Sequence, residues 1–185
     1  MQARTKTQRC NKAACKKTEN LVFYRYRIFL GGMDMSRHSE LAKQNFINGM
    51  NCAQSVFCAF GDVHGFDADT AYRISSSFGG GIGRLREVCG ALSGALMVMG
   101  MLEGGYPAGD GLAKAAHYKK IQSFAKAYGE EIGSIKCWKI LGLDEGPSEP
   151  VPEAHTPEYL ASRPCVRCVE AAAQLLDEFL EAREA

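Results

Sequence analysis

Eight cysteines in a chain of 185 residues are the side chains most able to do chemistry, and their placement matters more than their number. Cys10 and Cys15 lie in a basic leader, which leaves Cys52, Cys58, Cys89, Cys137, Cys165 and Cys168. Asn51 before Cys52, with Gln54 three residues on, is a capping-box pattern that predicts Cys52 at the first position of a helix. Ser134 is a candidate cap for a helix with Cys137 in its first turn, and Ser162 for one with Cys165 in its first turn, where Pro164 is tolerated. Cys89 follows a glycine break and falls early in the next helix. Unpaired N–H groups and the helix dipole at such positions favour thiolate over thiol, which is the form that metals and redox partners require. Cys58, six residues beyond Cys52, points to another side of the same helix and belongs to the core. Cys165-Val166-Arg167-Cys168 has a redox-competent spacing, but no βαβ pattern of a thioredoxin-like fold surrounds it, and Val169 stands where haem attachment needs a histidine.

The elements that must position these thiols are helical. Leu41, Ala42 and Phe46 form one apolar stripe, Ala53, Val56, Phe57 and Phe60 the next, and Asp67 or Asp69 starts a third helix through Tyr72 and Ile74. A Ser and Gly run from Ser75 to Gly83 breaks the pattern before an uncharged segment, Val88 to Leu102. At ~22 Å of helix that segment falls short of the ~30 Å a membrane span must cross, so it predicts a buried central helix. Tyr118, Ile121, Ala125 and Tyr128 mark a further helix, a short one follows around Cys137 to Leu141, and Val166, Val169, Ala173, Leu176 and Leu180 stripe the last. Between these, residues 144–157 hold four of the six prolines and read as a surface loop, with His155 on it as a surface histidine or, less readily, a ligand or proton donor to the cysteines. No alternation long enough to build a sheet occurs. The expected fold is all-α, a single compact domain of about six or seven helices over residues 33–185, with a glycine-rich break before its central helix.

Charge divides the chain unevenly. Residues 1–32 carry eight Lys or Arg against Glu19, 8 − 1 = +7, and the remainder carries 14 − 20 = −6. The leader is expected to be a mobile basic extension outside the folded domain, or the product of an upstream start codon; Arg25 and Arg27 interrupt what a secretory signal would keep apolar. A net charge of +1 makes nucleic acid an unexpected partner. With neither signal nor span, the expected location is a reducing cytoplasm, where thiols stay free for metal.

Gly79-Gly80-Gly81-Ile82-Gly83-Arg84, followed by Cys89-Gly90-Ala91-Leu92-Ser93-Gly94, resembles the redox-active C-GCAxxG-C-C family, described by four cysteines and a CGAxxG motif. Cys52, Cys89, Cys137 and Cys165 match the four in order, and the resemblance runs from about Leu41 to Leu176. It implies redox activity with these four as metal ligands, iron-sulfur binding above all, and a protein redox partner. Cys58 and Cys168 depart from the pattern, and Cys168 is a possible additional thiol. Separations of 37, 48 and 28 residues are not those of a compact zinc knuckle, so the four can meet only through tertiary packing. If they do, four thiolates suit an iron-sulfur cluster or a tetrahedral zinc. A metal-free dithiol reductase, with Cys165 attacking and Cys168 or Cys89 resolving, stands beside them. Gly90 and Gly94, one turn apart, would let a cofactor or another backbone approach beside Cys89.

Overall fold

The computed structural model describes residues 35–184. The basic extension expected over 1–32 and the domain start expected at 33 lie outside the described residues. Among these the chain is helical, with no strand beyond one isolated antiparallel bridge, Val88 with Lys136. The helices are α1 (Arg37–Ile47), α2 (Cys52–Ala59), α3 (Gly61–His64), α4 (Ala68–Ser75), the one-turn segment α5 (Gly79–Ile82), α6 (Gly90–Glu103), α7 (Gly111–Ile132), α8 (Cys137–Ile140), α9 (Pro157–Ser162) and α10 (Cys165–Glu184). The seven expected stripes became α1, α2, α4, α6, α7, α8 and α10. The rest are single turns or little more, too short for a periodic pattern to announce them.

Helix α6 is the centre. Its Ala91, Leu92, Ala95, Val98 and Met99 are buried, and α2 packs along it with Val56, Phe57 and Phe60 buried as well. Small residues set that approach. A methyl group on Gly94 would meet the Ala53 carbonyl oxygen at 2.6 Å, and one on Gly90 the Phe78 oxygen at 2.8 Å and Cys52 Cβ at 3.1 Å. Both glycines therefore admit α2 and the turn before α5 against α6. Helices α1 and α10 close the other side through Ala42, Phe46, Val169, Ala173 and Leu176. No helix among the described residues is long and apolar enough to cross a membrane.

The glycine break is the least ordinary backbone among the described residues. Gly80, Gly81, Ile82, Gly83 and Arg84 all have φ between 56° and 70°, and Arg86 has 64°. A left-handed conformation costs an L-residue roughly 1–2 kcal/mol, so Ile82, Arg84 and Arg86 are held there by their surroundings. The hold is a short pairing of backbone: Glu87 N–H donates to the Gly81 oxygen at 3.1 Å, Cys137 N–H to the Glu87 oxygen at 2.6 Å, Trp138 N–H to the Arg86 oxygen at 3.0 Å and Cys89 N–H to the Ile135 oxygen at 2.8 Å.

Candidate functional site

Each informative thiol except Cys58 sits at or just inside a helix start, and the cause differs from one to the next. Cys52 opens α2 behind the predicted capping box: Asn51 Oδ1 accepts from the Ala53 and Gln54 N–H groups at 3.0 Å each, and Gln54 Oε1 accepts from Asn51 N–H at 3.1 Å. Cys89 is itself the residue before α6. Cys137 opens α8, but not through Ser134: the hydroxyl accepts from Lys136 N–H at 3.0 Å, one residue too early, and the Glu87 carbonyl fixes Cys137 instead. Nor does Ser162 cap α10; it ends α9 and donates to the Tyr159 oxygen at 3.0 Å, leaving Cys165 to open α10 directly after Pro164. Side-chain capping is thus the device at Cys52 alone. At Cys89 and Cys137 the bridge of backbone between residues 86–89 and 135–138 does the placing, and no hydrophobic period signals it.

Packing brings four sulfurs together in two pairs, with Cys137 near enough to feel the charge of Cys89 and Cys165. Cys52 and Cys165 lie within thiol hydrogen-bonding distance of each other, and so do Cys89 and Cys168. The charge of Cys89 is felt at Cys52, Cys137 and Cys165. Cys58 stands apart, hydrogen-bonded to Ser75, and burial pushes its thiol up. Cys168 therefore joins the four motif cysteines, because three residues along α10 from Cys165 is one turn of the same face. Its partner within the pair is Cys89, from α6, and not the Cys165 of its own CxxC.

The electrostatics divide each pair into donor and acceptor. Hydrogen bonding from Cys168, helped by Tyr128 and by the Ala91 and Leu92 N–H groups, outweighs burial and holds the Cys89 thiol down at about 6. These two N–H groups favour the thiolate without an ordinary side-chain cap being formed. Donating to that sulfur and being buried both keep Cys168 a thiol, well above the usual range. In the second pair Cys165 is lowered by the hydrogen bond from Cys52, and Cys52 is raised by the same bond and by burial. Burial, then the charge of Cys89, pushes Cys137 up, with Arg86 acting against both.

Around the sulfurs the wall is part apolar and part polar. The Tyr128 hydroxyl, fully buried, donates to Cys89 Sγ at 3.2 Å. Arg86, 4% exposed, donates from Nη1 to Cys137 Sγ at 4.0 Å and from Nε to Ser148 Oγ at 2.8 Å. Gly81 faces Cys137 so closely that a methyl group there would meet its Cβ at 2.7 Å. Tyr159 lies beyond the Cys52 and Cys165 pair; burial and then the charge of Cys165 push its hydroxyl up to about 12. His155 does not reach the cysteines. It stacks on Tyr159 with ring centroids 5.0 Å apart and bonds through Nδ1 to the Phe46 oxygen at 2.7 Å. Among the described residues no three His, Cys, Asp or Glu side chains are grouped to hold a metal ion; the thiols associate two by two instead. Tyr128 and Gly81 escaped the sequence reading, whereas Arg86, with Arg84 and Glu87, reads from sequence either as a partner for a thiolate site or, more readily, as a charge that solvates a helix start. A tyrosine on a helical stripe and an arginine after a glycine run look like core and surface, and only the tertiary pairing makes them neighbours of sulfur.

A model of the family described as "Putative redox-active protein (C_GCAxxG_C_C)" matches residues 50–179. That stretch holds all five converging cysteines, the glycine turn, Arg86 and Tyr128. No curated protein and no solved structure matches the chain.

Proposed function

The chain belongs to the C_GCAxxG_C_C family of redox-active proteins, and from that premise we propose that Cys52, Cys89, Cys137 and Cys165 hold an iron-sulfur cluster that exchanges electrons with a protein partner in a reducing, cytoplasmic setting. The observation that carries this is the meeting of buried thiols from separate helix starts, two of them already favoured as thiolates. The donor set fits the group by its chemistry. Four Cys thiolates are the donor set of an iron-sulfur cluster, and the Cys52 and Cys165 pair already sets two of the four side by side. When bound, such a cluster supplies one-electron transfer at a potential set by its charge, burial and the hydrogen bonds to its sulfurs. The chain's own residues do the rest. The start of α6 and the Tyr128 hydroxyl stabilise negative charge on Cys89, and α6, α7 and α10 keep water from Cys89, Cys137 and Cys168. Cys52 and Cys165 are the half-buried edge, and a partner's electron enters or leaves there most directly.

One observation favours a second reading, a metal-free dithiol centre: the Cys89 thiolate already accepts a hydrogen bond from Cys168. Loss of two electrons, with the single proton of Cys168, to an external acceptor would join these two as a disulfide, and a later donor would return them. The two readings separate on one series of variants. Full-length protein purified without oxygen is analysed for iron and acid-labile sulfide, alongside single serine replacements at Cys52, Cys89, Cys137, Cys165 and Cys168. Iron and sulfide retained in Cys168→Ser but lost in the other four supports the cluster. An iron-free protein whose thiol oxidation by a disulfide reagent depends on Cys168 supports the dithiol.

A further inference from the structure

Every other arginine near the site has a carboxylate. Arg84 and Arg163 share Glu153 at 3.3 and 3.0 Å, and Lys136 meets Glu87 at 2.5 Å. Arg86 is the exception. Among the described residues it has no carboxylate within ion-pair distance, yet it is the only charged side chain in the buried set, and its guanidinium is shared between Ser148 and Cys137. A buried charge without a counter-charge is strongly unfavourable. The backbone that delivers it is unfavourable too, since Arg86 sits at φ 64° at the end of a run of left-handed residues. Two independent departures from low energy converge on one guanidinium, which lies against Cys137 Sγ and whose charge is felt at Cys165.

We propose that Arg86 is the resident counter-ion of the cysteine centre, a positioning residue whose fixed positive charge sets how readily the sulfurs take up electrons. This rests on the redox reading of the site but not on which group carries the electrons. An added electron makes a cluster more negative by one; two electrons reduce a disulfide to thiols that ionise toward thiolate. In either case the guanidinium stabilises the reduced form, so removing it makes reduction less favourable and the potential more negative. The glycine turn then has a purpose beyond reversing the chain. Gly80 and Gly81 permit the left-handed path at low cost, and that path ends with the guanidinium against Cys137.

The test is a potentiometric titration of the full-length protein, wild type beside Arg86→Gln and Arg86→Lys, with dithionite as reductant and ferricyanide as oxidant. All three side chains bear the same backbone strain at this position, so strain cancels from the comparison. Arg86→Gln is expected to lose about tenfold in the equilibrium constant for reduction, ~59 mV for a one-electron couple or ~30 mV for a two-electron one. Arg86→Lys, which keeps the charge, should stay within about threefold of wild type. A Gln variant with an unchanged potential, or a Lys variant shifted as far as Gln, overturns the counter-ion role. If the Gln variant does not fold, Ser148→Ala replaces it: losing that anchor should shift the couple in the same direction by about twofold, and no shift counts against the proposal. The slope of the titration reports the electron number separately. A wild-type protein with no reversible couple would instead overturn the redox reading itself, and this inference with it.

Discussion

Gly81 offers the sharpest measure of how the turn and the thiols depend on each other. Its φ of 70° is in the left-handed region, so any L-residue there incurs roughly 1–2 kcal/mol. An added Cβ would also lie 2.7 Å from Cys137 Cβ, 2.8 Å from the Glu87 nitrogen and 2.9 Å from the Arg86 carbonyl carbon. Two of these three are backbone atoms in the pairing that holds Cys137, so they cannot yield without breaking it. Overpacking of this kind costs about 1–3 kcal/mol, which gives about 2–5 kcal/mol for Gly81→Ala. Gly83→Ala is the control. With φ 56° and nothing within 4 Å of its Cβ position, it should cost only the conformational part, about 1–2 kcal/mol. Urea unfolding of both variants, reduced and metal-free, reads the difference as a shift in midpoint at unchanged slope. Alkylation of Cys137 by iodoacetamide should also accelerate in Gly81→Ala and stay at the wild-type rate in Gly83→Ala. Equal midpoints for the two variants would refute the reasoning, because the close approach of Gly81 to Cys137 would then contribute nothing.

Other outcomes follow from the same geometry. Tyr128→Phe removes the donor to Cys89, so the inflection in its alkylation rate should move upward from about 6 by roughly one to two pH units, and an unmoved inflection would count against that hydrogen bond. Because the folded-state value of Cys89 lies below the ordinary 9.0, its contribution to stability is present above pH 9 and lost as pH falls through about 6. Reduced, metal-free protein should therefore show a urea midpoint that rises across this window, with a smaller rise in Cys89→Ala; parallel profiles would contradict the assignment. Asn51→Ala deletes the capping box of α2 and the 2.9 Å bond to the Ser76 oxygen, for about 1–2 kcal/mol, and should lower the melting temperature by ~2–8 °C. A melting curve that overlays the wild type would mean that α2 is held by packing alone.

The all-α architecture was legible because α1, α2, α4, α6, α7 and α10 are each long enough, or apolar enough, for a period of 3.6 to show. The short turns α3 and α9 were not, and neither was the sense of the glycine run: a sequence of glycines announces a break but not that five successive residues wind left-handed. The capping box at Asn51 was readable because both partners lie within one turn of each other. The caps expected at Ser134 and Ser162 failed for the converse reason, since Glu87 and the α9 backbone, distant or unrecognised in sequence, supply the competing hydrogen bonds. Cys168 entered the cluster through the geometry of α10, while its pairing with Cys89 needed the packing of α10 against α6. Charge was the least legible feature. Nothing in the order Arg84, Leu85, Arg86, Glu87 distinguishes the arginine bound to a surface glutamate from the one turned toward sulfur.

The division of the thiols between the two ends of the folded domain has a bearing on how the protein is made. Cys52 emerges early and Cys165 and Cys168 late, on the helix that also supplies Val169, Ala173 and Leu176 to the core. During synthesis the early thiols must wait, without their hydrogen-bonding partners, until α10 has left the ribosome. The thiol pairs can form only once α10 has been made, and any group they hold must enter a chain that already carries that helix.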